Sequence, residues 1–174
     1  MEFKSKFDEQ ERLLLATLPP MIGAVMAGVG KSGLGTVKEA FASMKAVMEG
    51  GKQYPDNRLI GELMAHSSSW EEAKERAPKN RQMFQAKLEQ KSIESPEQLK
   101  TLLLAEYRQA NELLAENIPP QEAQQYKEWV MRIAEQVAAA AKEGGFGGER
   151  ISKEEHELLQ EIQEALQIDG DTAA

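Results

Sequence analysis

The sequence predicts an all-α fold: a single domain over residues 1–174, built as a bundle of about seven helices with mostly antiparallel neighbours. Three observations predict it. Apolar residues recur at i, i+3 and i+4 along nearly the whole chain. No alternating apolar–polar run extends beyond a few residues, so a sheet has no candidate strands. Proline and glycine breaks cut the chain into helix-length pieces joined by short connections, which favours antiparallel packing.

Taken in order, Asp8–Leu18 reads as a first helix, stopped by Pro19-Pro20. Pro20 to about Val29 reads as a short second helix, apolar on every side and therefore buried. A Gly-rich link, Gly30–Gly35, leads to a helix from about Thr36 to Glu49 with Val37, Phe41, Met44 and Met48 on one stripe. Gly50-Gly51 is expected to end it through a left-handed cap. After the Tyr54-Pro55 turn, Leu59, Ile60, Leu63 and Met64 mark a short helix. Ser68 with Glu71, or Ser69 with Glu72, makes a capping box for a helix from Trp70, interrupted or kinked at Pro78 and resuming to Lys91.

Ser95-Pro96-Glu97-Gln98 is a strong helix start, with serine as cap, proline in the first turn and glutamine closing the box. That helix should reach Asn117 with Leu99, Leu103, Tyr107, Ala110 and Leu114 inward. Ile118-Pro119-Pro120 breaks it, and the next helix runs to about Glu143 on Tyr126, Val130, Ile133, Val137 and Ala141. A glycine loop, Gly144–Gly148, precedes a box of Ser152 and Glu155 and a last helix on Leu158, Leu159, Ile162 and Leu166. Residues 1–7 and 168–174 are expected to fray.

Composition excludes several function classes. The chain has no cysteine, which removes disulfides, thiolate nucleophiles and cysteine metal sites, and it fits a reducing, cytoplasmic setting. A net charge of -8 disfavours nucleic acid and anionic lipid as partners. The charge is uneven: residues 73–91 hold six cations against two acids, and residues 143–171 hold nine acids against two cations. The plain reading is two solvated faces; the sharper one is self-association or an oriented protein partner. Leu13–Gly30 has no charged residue in 18 positions, close to a membrane span in length, but acidic Asp8, Glu9 and Glu11 precede it where a leader would be basic, and a prolyl pair interrupts it. A buried hairpin is the expectation, with association of 13–30 with a membrane surface as the alternative.

Motifs that carry chemistry are few. Gly28-Val29-Gly30-Lys31-Ser32-Gly33 spells G-x-G-x-x-G, with Glu49 where a ribose-binding acid would fall, but no second strand separates them. Gly30-Lys31-Ser32 resembles the end of a P-loop, yet Val25 stands where that loop needs glycine. What survives is a weak anion site at Lys31 and Ser32. The loop Gly144, Gly145, Phe146, Gly147, Gly148, with Arg150 and Ser152 after it, leads into a helix N-terminus and is the candidate ligand or partner contact. The alanine run 137–141 permits close helix packing. The di-iron pattern Glu-x-x-His fails at both histidines, because Leu63 precedes His66 and Lys153 precedes His156. Asp169-Gly170-Asp171 lacks the closing glutamate of a calcium loop. No serine pairs with a base, so no catalytic residue, metal site or cofactor is expected.

Pro19–Gly23 leading to Ser32-Gly33, Glu128-Trp129 with Ile133-Ala134-x-x-Val137-Ala138, and Lys142–Phe146 through Gly148 to Ile151-Ser152-x-x-Glu155 together resemble a family of small uncharacterised bacterial proteins from cyanobacteria and proteobacteria. The loop after Phe146 is a few residues shorter here, and the resemblance implies no activity. Gly148, Ile151, Ser152 and Glu155 also resemble the helix turn of tellurite-resistance TerB-like domains, with Gly147 in place of that turn's acidic residue. That resemblance implies a stress-related ligand- or metal-binding role for 144–155. The leading expectation is a non-enzymatic binding or accessory protein acting through protein–protein contacts, as a hetero-complex or an oligomer.

Overall fold

A computed structural model describes residues 7–29, 45–65, 75, 78, 82, 85–140 and 153–168. The protein is an all-α bundle, and the described residues form seven helices and no strand. They are α1 (Glu9–Val29), α2 (45–51), α3 (Arg58–Met64), α4 (described over 85–90), α5 (Pro96–Asn117), α6 (Pro120–Ala140) and α7 (Lys153–Leu166). α5 lies centrally, packed against α1 and α7, while α6 closes the core against α1 and α7. The core is continuous: Leu15, Leu18 and Ile22 of α1 meet Leu103, Tyr107 and Leu114 of α5, Tyr126, Trp129 and Ile133 of α6, and Ile162 and Leu166 of α7.

α1 corrects the expected break. Residues 9–29 form one helix with Pro19 and Pro20 inside it. Each proline lacks an N–H, so the carbonyls four residues earlier, on Leu15 and Ala16, lose their ladder donors. The two are satisfied differently. Leu15 and Pro19 are buried, and the Tyr126 hydroxyl donates to the Leu15 carbonyl at 2.7 Å. Ala16 and Pro20 are exposed, so water can serve the second carbonyl. The Tyr107 hydroxyl donates to the Leu18 carbonyl at 3.3 Å, immediately before the prolyl pair. At Leu15 a tertiary donor thus replaces the one that the local sequence removes.

The apolar segment faces inward: Leu14, Leu15, Leu18, Met21, Ile22 and Val25 are buried, and Leu13 is exposed. No helix among the described residues is long and apolar enough to cross a membrane. α1 opens with a reciprocal capping box, Asp8 N–H to Glu11 and Glu11 N–H to Asp8. Phe7 is buried and Ile168 packs against the core, although both fall in stretches expected to fray; residues 1–6 and 169–174 lie outside the described residues.

Gly50 and Gly51 also differ from expectation. Both are helical and neither has a positive φ. A Cβ on Gly50 would sit 2.8 Å from the Trp129 ring, so this glycine serves close helix–indole packing. The Trp129 indole N–H donates to the Val47 carbonyl beside it.

Other joints follow local capping chemistry. α5 starts with the full Ser95–Gln98 box and Pro96 in its first turn, and runs to Asn117 as the pattern requires. α4 and α7 end in Schellman turns: Ile93 N–H bonds to the Leu88 carbonyl and Ile168 N–H to the Gln163 carbonyl, with Ser92 and Gln167 at φ 52. Pro78 is helical and exposed. The boxes at Ser68 and Ser69, residues 36–44, Trp70 and the 141–143 end of the sixth helix lie outside the described residues.

Candidate functional site

Most residues singled out by sequence fall outside the described part of the chain. These are Lys31, Ser32, Gly144, Gly145, Phe146, Gly147, Gly148, Arg150 and Ser152, together with His66 and Asp169–Asp171. Of the capping and ligand patterns at that end of the chain, Glu155 is described, buried in the first turn of α7. Among the described residues no group of three or more His, Asp or Glu is placed to hold a metal ion.

Several of the described polar residues join helices. Asn57 caps α3 by accepting from Ile60 N–H, and its amide donates to the Glu122 carbonyl and the Gln125 side chain of α6, each at 2.9 Å. Arg58 adds a main-chain and a guanidinium contact to the Glu122 carboxylate. Lys87 pairs with the buried Glu106 at 2.7 Å, tying α4 to α5, and Lys100 with Glu161 at 2.7 Å, tying α5 to α7. Arg12 and Glu62 link α1 to α3 at 3.3 Å. These carboxylates are spent on packing, with cations already in place.

Burial governs the tyrosines. It pushes the Tyr126 hydroxyl far above the ordinary 10.0, and Tyr107 as well, with Tyr126 and Glu106 adding to the shift. Tyr54 is raised mainly by burial; Arg132, 6.0 Å from its ring centroid, opposes the shift, and the Glu128 carboxylate reinforces it. Neutral phenols held this high are hydrogen-bond donors at neutral pH, so none supplies a base.

A surface feature comes from the α4–α5 joint. The Schellman turn at Ser92 reverses the chain into the Ser95 cap, which sets Ile93 beside the outer face of α5. There Thr101, Leu102 and Ala105 line an open, mainly apolar depression, with Lys91 and Glu97 at its rim. Ala105 is exposed, and its short side chain leaves the hollow unfilled. A second open hollow, by Gln160, Gln163, Glu164 and Ile168 at the end of α7, is polar by comparison. Sequence reasoning missed the first depression because it joins a turn to a helix face. The available signal was Ala105 on the otherwise polar arc of α5, with Ile93 standing just past a helix end.

No protein-family model, curated protein or solved structure matches the chain.

Proposed function

We propose that this protein is a non-enzymatic binding or accessory protein of the cytoplasm that acts through contact with another protein chain. The observation that supports the reading is the apolar depression of Ile93, Thr101, Leu102 and Ala105, where the α4–α5 turn meets the outer face of α5, between charged rim residues. An open apolar centre with a polar rim suits a protein surface better than a small molecule, which needs enclosure. Three interhelical ion pairs, Arg12–Glu62, Lys87–Glu106 and Lys100–Glu161, use their carboxylates and cations to hold the fold. Membrane-surface association through 13–30 is the weaker reading, since Leu14, Leu15, Leu18, Met21, Ile22 and Val25 of α1 face the core.

Ala105→Arg tests the proposal at an exposed position that the fold does not need. The untagged wild type and the variant are purified gently from the native host and compared by sedimentation velocity and by co-purifying bands. The expected result is a homo-oligomer or a stoichiometric second protein with the wild type, lost in the variant at an unchanged melting temperature. A monomeric wild type with no stoichiometric protein, or a complex that Ala105→Arg leaves intact, overturns it.

A further inference from the structure

We infer that α1 is a hinged helix whose C-terminal part, residues 21–29, opens as a unit about Pro19-Pro20 while residues 9–18 stay docked. Three observations carry this. First, the two prolines remove two consecutive ladder bonds at mid-helix, so the parts of α1 are coupled more weakly than in an uninterrupted helix. Second, three polar ties to other helices secure the first part of α1: Arg12 to Glu62, Tyr126 to the Leu15 carbonyl and Tyr107 to the Leu18 carbonyl. Residues 21–29, Met-Ile-Gly-Ala-Val-Met-Ala-Gly-Val, have no side-chain nitrogen or oxygen, so no side chain of this part can form an ion pair or hydrogen bond such as that of Arg12. Third, that part contains Gly23 and Gly28 inside a helix, where glycine is the weakest helix former after proline.

The first part is secured independently by the Asp8–Glu11 box and by burial of Leu14, Leu15 and Leu18. The tyrosine hydroxyls therefore hold the fixed side of the hinge, and apolar packing holds the moving side. Local opening of this kind is how a folded chain exposes buried surface below the cost of global unfolding. Opening uncovers Met21, Ile22 and Val25, which are otherwise sealed in the core.

Hydrogen exchange of the full chain, read by mass spectrometry under conditions where exchange reports opening equilibria, tests the hinge. Amides of 21–29 are expected to open at least about tenfold more often than those of 12–18 and of α5 around Tyr107. Pro20→Ala, at an exposed site, returns one ladder donor and should lower the opening constant of 21–29 by about tenfold or more. Equal protection of 21–29 and α5, joint opening of 12–18 with 21–29, or an opening constant that Pro20→Ala leaves unchanged overturns the inference.

Discussion

Tyr126→Phe isolates the hydrogen bond that lets a helix pass through two prolines. The phenylalanine ring keeps the edge contact to Trp129, whose centroid lies 5.8 Å away, so no cavity forms. What is lost is the 2.7 Å bond to the Leu15 carbonyl. Pro19 has no N–H to replace it, and the site is closed to water. A buried carbonyl left without a donor costs about 1–3 kcal/mol. For a chain of this size that lowers the melting temperature by roughly 2–12 °C. Tyr107→Phe is the control. The Leu18 carbonyl keeps its place in the helical ladder, and the Tyr107 bond is longer at 3.3 Å, so about 0.5–1 kcal/mol is expected. Urea unfolding followed by circular dichroism measures both. A double-mutant cycle with Pro19→Ala then tests the cause. That substitution restores a backbone N–H able to donate to the Leu15 carbonyl, so Tyr126→Phe should cost about 1 kcal/mol less in that background. An unchanged cost in the Pro19→Ala background, or a Tyr107→Phe loss as large as that of Tyr126→Phe, refutes the reasoning.

Three further outcomes follow from the same geometry. Tyr107 and Tyr126 hold their protons in the folded state above the ordinary 10.0, whereas the unfolded chain releases them there. The folded state then binds more protons, so stability present below pH 10 is lost as pH rises, by about 2.7 kcal/mol per unit for two groups; Tyr126→Phe should halve that dependence in urea titrations above pH 10. Gly50→Ala places a Cβ 2.8 Å from the Trp129 ring and should destabilise by about 1–3 kcal/mol with altered indole fluorescence; an unchanged melting curve contradicts the packing argument. Ser92→Gly relieves a left-handed residue at φ 52 and should raise stability by about 1 kcal/mol; a loss in thermal melts would mean that the serine side chain contributes more than the backbone costs.

The sequence displays what local chemistry decides. The start of α5 is legible because Ser95, Pro96 and Gln98 solve the problem of free N–H groups within one turn. The inward stripe of Leu103, Tyr107, Ala110 and Leu114 is legible because helix period alone assigns it. The path of α1 is not: two prolines predict a stop, and the donor that permits continuation comes from Tyr126, 111 residues away. Gly50 misleads for a related reason, since the need for a small residue arises from Trp129 on another helix. The Asn57 joint shows half of each kind. Its cap on α3 is local, while its two bonds to α6 depend on how the helices meet. The depression beside Ala105 is invisible along the chain because a turn and a helix face build it together.

Native mass spectrometry on gently purified, untagged protein tests the central functional claim most directly. Contact with another chain predicts a complex whose mass is a multiple of the 19.4 kDa chain, or that chain plus a second protein. A bare monomer, or a monomer carrying a stoichiometric small molecule or metal that leaves on mild denaturation, would contradict it.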